Sequence, residues 1–138
     1  MGAAARATEV AVLKKTSEQM VEEARRRITS VTPDEVAEVV ASGQVLVVDV
    51  REREEWDQGH IPQAIHVPRG ELEFRADPAS PLADPRLHPG RRILVHCALG
   101  KRSALATATL QEMGYEGVLN LEGGFEAWKE AGYPVSRG

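Results

Sequence analysis

The residues of this chain best suited to chemistry lie in one short run, His96-Cys97-Ala98-Leu99-Gly100-Lys101-Arg102-Ser103. Cys97 is the only cysteine of the 138 residues, so no internal disulfide can form. It ends an apolar run, Ile93-Leu94-Val95, and a helix-type pattern begins just after it. A strand that ends in cysteine, turns tightly and enters a helix is a way to make a thiolate. Helix N-terminal amides and neighbouring cations favour negative charge on sulfur. Gly100 relaxes the backbone, so the loop can curl and aim successive N–H groups inward. Such a nest binds anions, and Lys101 and Arg102 add full positive charge. Cations at a helix N-terminus oppose the macrodipole, so their placement points to an anion-binding purpose. Ser103 reads as the helix N-cap and as a hydroxyl donor to the sulfur. The expected chemistry is nucleophilic attack by Cys97, with Ala98, Leu99, Gly100, Lys101, Arg102 and Ser103 binding an anionic substrate.

The elements that must position this loop follow from periodicity. Residues 1–15 lack a clear period. From Thr16 a helix pattern begins, with Met20, Ala24 and Ile28 on one face and Glu22–Arg26 and Glu23–Arg27 as i,i+4 pairs. Residues 1–29 therefore read as an extension carrying an amphipathic helix, and 30–138 as the main domain. Thr32-Pro33-Asp34-Glu35 is a helix start: Thr32 caps, Pro33 takes the first helical position and Glu35 completes a capping box. Val36, Val39 and Val40 form the buried face of that helix, and Gly43 ends it. Val45 to Val48 is apolar on both faces and reads as an interior parallel strand. Glu52 to Gln58 is a short polar helix anchored by Trp56, and Ala64 to Val67 a short strand closed by Pro68.

Residues 76–91, with Pro78, Pro81, Pro85 and Pro89, form a surface loop. Arg92 to His96 is the next buried strand. Residues 103–113 form a helix with Ala106, Leu110 and Met113 on one face, and Val118 to Leu121 is a strand. Gly123-Gly124 turns into a last helix with Phe125 and Trp128 inside. Strands alternating with helices give an α/β fold with a mostly parallel sheet and helices on both faces. In such sheets the site lies beyond the carboxyl ends of the strands, where Cys97 sits. Asp49 and Arg51 end another strand; they form an internal salt bridge or approach the site. Glu71 is a weaker candidate for the pocket mouth.

Composition limits the other functions. A net charge of −4 argues against nucleic acid as the main partner. No run of about 18 apolar residues exists, so no membrane span is expected, and no secretory signal is read. A lone cysteine fits a reducing compartment, with the cytoplasm as the default. His60, His66, His88 and His96 lack metal-ligand spacing, so neither a metal nor a cofactor is expected. His96 points to the opposite strand face from Cys97 and makes a poor base for it.

Two chemistries use a cysteine cradled this way. Phosphatases and arsenate reductases close the loop as C-x5-R, wide enough for a phosphoryl group. This chain has C-x4-R, from Cys97 to Arg102. The shorter ring suits one terminal sulfur atom, carried as a persulfide whose outer sulfur the loop amides stabilise.

The chain resembles the single-domain rhodaneses, a sulfurtransferase family. The resemblance is carried by Asp49-Val50-Arg51-Glu52, Glu55 to Pro62 (E-W-D-Q-G-H-I-P), Ala64 to Pro68 (A-I-H-V-P), the Cys97 loop and Leu121 to Trp128 (L-E-G-G-F-E-A-W), over roughly residues 30–135. It implies a five-stranded sheet and Cys97 as the persulfide carrier. It also implies a small anionic sulfur donor such as thiosulfate, held by Lys101 and Arg102, and a thiophilic acceptor. A protein acceptor, or a partner-binding relay module with little small-molecule turnover, is the alternative. Ala98 stands where some thiosulfate:cyanide enzymes carry a basic residue, and Gln63 where the family has a small one.

Overall fold

All four apolar runs form strands, and a fifth joins them that periodicity does not reveal. The computed structural model describes residues 12–137. Residues 1–11, most of the segment read as lacking a period, lie outside these, as does residue 138. The helices are α1 (Ser17–Arg27), α2 (Pro33–Ala41), α3 (Arg53–Gln58), α4 (Leu72–Ala76), α5 (Lys101–Glu112) and α6 (Gly124–Glu130). The strands are β1 (Thr29–Val31), β2 (Leu46–Asp49), β3 (Ile65–His66), β4 (Ile93–His96) and β5 (Val118–Leu121). Their order in the sheet is β1-β5-β4-β2-β3, and every pairing is parallel.

Side-chain alternation divides the interior into two faces. Val48, Val50, Ile93, Val95 and Cys97 pack with Leu72 and Ala76 of α4 and Ala106 and Leu110 of α5. Val47, Leu94 and Leu121 point the other way, onto Val36 and Val40 of α2 and Phe125 and Trp128 of α6. Both sheet faces are covered, which is why the strands read as continuous apolar runs. The capping box at α2 forms as expected: the Glu35 amide donates to Thr32 Oγ1 (3.3 Å) and the Thr32 amide to Glu35 Oε1 (2.7 Å). Helix α1 has its own capping box, through Thr16 and Gln19.

Helix α1 lies on α5, and here the expected face is corrected. Val21 and Ala24 are the buried residues, packed on Ala104 and Ala108 with Ile28 at the margin, whereas Met20 is 48% exposed. The small alanines of α5 admit close approach of the helix carrying Val21, which turns Met20 to the edge. Met113 is also exposed, because α5 ends at Glu112. Trp56 is half-buried rather than a core anchor. Its indole stacks on His60 (centroids 3.6 Å apart) and on His66 (5.1 Å). Gln63 sits at φ +68°, a left-handed conformation that favours glycine. Among the described residues no helix is long and apolar enough to cross a membrane, and no group of three His, Cys, Asp or Glu side chains is arranged to hold a metal.

Candidate active site

The loop between β4 and α5 curls around the sulfur of Cys97. The Gly100 amide donates to Cys97 Sγ at 3.1 Å and the Ser103 amide at 3.4 Å. Ser103 Oγ lies 3.4 Å from the same sulfur. Gly100, at φ +104°, is the N-cap of α5, so the N-cap assigned to Ser103 is corrected. Ser103 falls in the first turn, where its amide has no intrahelical acceptor and is free for sulfur. Two amides and a hydroxyl converge on one buried atom, an arrangement that stabilises negative charge on sulfur. Ala98 is half-buried, and Leu99 and Lys101 are exposed at the rim.

The loop's outward carbonyls are held by α6. The Phe125 amide donates to Cys97 O (2.8 Å) and the Glu126 amide to Ala98 O (3.1 Å). This contact needs the glycine at 124. A Cβ there would lie 2.6 Å from Ala98 C, Ala98 O and Cys97 O, and the backbone stands at φ +62°. The sequence reading missed Gly124 as a site element; the Gly123-Gly124 pair directly before an amphipathic helix was the available signal.

Beneath the loop lies a buried ion pair. Asp49 and Arg51 are 0% and 4% exposed. Arg51 Nη2 donates to Asp49 Oδ2 (2.8 Å) and Arg51 Nε to Asp49 Oδ1 (3.0 Å). Arg51 Nη2 also donates to Gly59 O (2.7 Å), and the guanidinium stacks 4.3 Å over the Phe125 ring. Burial pushes the Asp49 carboxyl up, and the Arg51 hydrogen bonds together with the electrostatic influence of His96 and Arg51 outweigh it, so the net shift is downward. The pair thus braces Phe125, whose amide holds the loop. Removing one partner leaves a buried charge uncompensated, at a cost of about 3–5 kcal/mol. Arg51→Met is expected to lose stability on that scale in urea unfolding, and Asp49→Asn combined with it to recover part of the loss. A single variant as stable as wild type would show that the pair is not bracing.

His96 is fully buried on the face opposite Cys97, with Nδ1 3.1 Å from Cys97 O. Its Nε2 lies 3.6 Å from Asp49 Oδ2, beyond hydrogen-bond distance. Desolvation lowers its pKa, which favours the neutral imidazole.

Arg102 is already engaged. Nη1 and Nη2 donate to Oε1 and Oε2 of Glu55 at 2.8 and 3.0 Å, a two-point contact with α3. The Arg102 hydrogen bonds hold the Glu55 carboxyl at about 2, against an ordinary 4.5. Because the folded value is depressed, this pair stabilises the fold fully above about pH 4.5 and loses that contribution as pH falls toward 2. Glu55→Gln is therefore expected to flatten the acid limb of the stability–pH curve between those values. An unchanged limb in urea titrations would contradict the pairing. Nothing in the local sequence signals Glu55, which stands 47 residues from Arg102. Glu71 accepts from Arg75 Nε (2.7 Å) and is not among the groups bonded to the sulfur.

Two clefts flank the loop. One, of about 540 Å³, is lined by Arg51, Glu55, Ala98, Phe125, Lys129 and Arg137 among others. The second, of about 480 Å³, runs between α1 and α5 beside Lys101 and Arg102.

The family model for the rhodanese-like domain matches residues 32–131. The chain belongs to the rhodanese-like family. A human thiosulfate:glutathione sulfurtransferase is 34% identical over 108 residues, covering 73% of this chain and 93% of that protein. A sulfurtransferase of Allochromatium vinosum is 36% identical over 91 residues, 66% of this chain and 78% of its own. A putative sulfur carrier protein of Bacillus subtilis, YrkF, is 35% identical over 82 residues; this chain's match spans only 40% of its length. Among solved structures, a Rhodopseudomonas palustris protein described as of unknown function and a possible tyrosine phosphatase has a TM-score of 0.87 at 37% identity. The match covers 93% of this chain and 99% of that one. A rhodanese-related protein of Thermoplasma volcanium has a TM-score of 0.68 at 31% identity, covering 80% and 99%. The five-stranded parallel sheet with flanking helices is the rhodanese-like fold.

Proposed function

We propose that this rhodanese-like protein is a sulfurtransferase that carries sulfane sulfur as a persulfide on Cys97. The carrying observation is the pair of amides, from Gly100 and Ser103, aimed at Cys97 Sγ. The Cys97 thiolate attacks the outer sulfur of a small anionic donor such as thiosulfate. The donor's S–S bond breaks and its electron pair leaves with sulfite. A nucleophilic acceptor then attacks the outer sulfur of the persulfide, and the Cys97 thiolate departs with the electron pair. The loop amides meet negative charge at each stage without rearranging.

A low-molecular-weight thiol is the acceptor we favour, in keeping with the glutathione in the human relative's name. A carrier protein is the other acceptor class, in keeping with the name of YrkF. Cys97 must be a free, reduced thiol to take up sulfur, and the cytoplasm, which keeps thiols reduced, is the compartment we propose. Phosphate-ester hydrolysis, the activity in one structural neighbour's description, is disfavoured by Arg102. Its guanidinium, at the end of the loop, is taken up by Glu55 rather than free for phosphoryl oxygens.

The test is the intact mass after incubation with thiosulfate, which should rise by one sulfur atom and return on addition of cyanide or a thiol. No mass gain with any sulfane donor, together with brisk hydrolysis of an aryl phosphate, would reverse the assignment.

A further inference from the structure

We infer that Arg25, on helix α1 ahead of the family domain, is a donor-binding residue of the active loop and, with Lys101, supplies the charge that recruits an anionic sulfane donor. This assignment rests on the sulfur-transfer reading above. Val21 and Ala24 seat α1 on Ala104 and Ala108 of α5, the helix whose first turn carries the loop. That docking brings Arg25 against the backbone of the active loop, beside Leu121 O and Gly123 N. Its Nη2 lies 3.5 Å from where a Cβ would stand on Gly100, the residue whose amide bonds Cys97 Sγ. The family match begins at residue 32, so Arg25 falls outside it.

The distribution of free charge favours Arg25 over Arg102. Arg102 is held at two points by Glu55. Arg25 meets a carboxylate only at 4.0 Å, from Glu122, with the two side chains 38% and 49% exposed. Lys101 is exposed and makes no ion pair among the described residues. Ala98 brings no charge. Arg25, Lys101 and Arg102 share the cleft between α1 and α5, with Val21 and Leu105 as its apolar floor. Glu18 and Glu22 line its α1 side, and Glu22 lies 3.9 Å from Arg26. A small dianion entering beside Gly100 can displace the loose Glu122 contact and take a charge-assisted bond from Arg25. Attraction of this kind weakens with salt.

The experiment compares wild type, Arg25→Gln, Arg25→Lys and Arg27→Gln in the full chain. Two donors are used, dianionic thiosulfate and a neutral dialkyl trisulfide, with cyanide as acceptor. Arg25→Gln should raise KM for thiosulfate about fivefold to tenfold with kcat nearly unchanged, the scale of one charge-assisted contact. It should leave trisulfide kinetics alone and flatten the salt dependence of thiosulfate turnover. Arg25→Lys should retain most of the thiosulfate affinity, and Arg27→Gln should match wild type. An unchanged thiosulfate KM in Arg25→Gln, or equal losses with both donors, overturns the assignment. Thiosulfate titrated calorimetrically into Cys97→Ser protein, with and without Arg25→Gln, reads the contact without turnover, and equal affinities overturn it. Wild type that accepts sulfur from neither donor, yet binds thiosulfate through Arg25, overturns the sulfur-transfer reading alone.

Discussion

Cys97→Ser protein is expected to take up no sulfur from thiosulfate and to release no thiocyanate when cyanide is added. The loss should be at least about 1000-fold, the scale on which removing a covalent nucleophile acts. The reason is chemical rather than structural. A serine hydroxyl can still accept the Gly100 and Ser103 amides, so the cradle keeps its hydrogen bonds. Unfolding free energy should stay within about 1 kcal/mol of wild type. A hydroxyl, however, is not ionised near neutral pH and forms no persulfide. Turnover retained by this variant would place the sulfur carrier elsewhere, and the chain holds no second cysteine to take the role.

Gly124→Ala should nearly silence the site while leaving every reacting group in place. The added methyl would meet three backbone atoms of Cys97 and Ala98 at 2.6 Å, and backbone cannot step aside as a flexible side chain can. Either α6 withdraws or the loop shifts. In both cases the Phe125 and Glu126 amides lose the carbonyls of Cys97 and Ala98. We expect a loss of about 1–3 kcal/mol in stability from overpacking and left-handed strain. Sulfur transfer should fall about 100-fold, since displacement by an ångström costs that much in a positioned site. Gly123→Ala provides the contrast. Its methyl would meet the Ala127 side chain within α6, also at 2.6 Å, and not the loop. It should cost comparable stability and far less activity. Equal activity losses in the two variants would mean that α6 is a generic support rather than a clamp on the loop.

The parts of the molecule that were legible from sequence are those whose signal is local. Leu46 to Asp49 and Ile93 to His96 are buried on both faces, so their composition alone marks interior strands. Thr32 and Glu35 form a capping box across three residues, and the interval is enough to recognise it. Cys97 was legible because an apolar run, a glycine and two cations surround it within one turn. Strand β1 was not. Its three residues, Thr29-Ser30-Val31, form an edge with no fully buried member and show no period. Helix α4 is a little over one turn and sits at the head of a proline-rich segment, too short for a face to emerge. Met20 and Val21 are both apolar and adjacent, and only the alanines of α5 decide which one faces inward. Glu55 and Arg102 illustrate the remaining limit. Each looks like an ordinary surface charge, and their pairing exists only after α3 and α5 are set against the same sheet edge.

Strand order also sets the timetable on which this molecule assembles. Strand β1, earliest in sequence, pairs only with β5, and Thr29 faces Leu119 across about 90 residues. Helix α1 waits in the same way for α5. Contacts so distant in sequence form late, because loop closure must be met before they give any return. On the ribosome the N-terminal segment therefore emerges long before its partners, and the loop stays unclamped until Gly124 and Phe125 have been made. The proposed sulfur site is thus completed at the end of folding: the Gly100 and Ser103 amides reach Cys97 Sγ in their final geometry only when the whole sheet has closed.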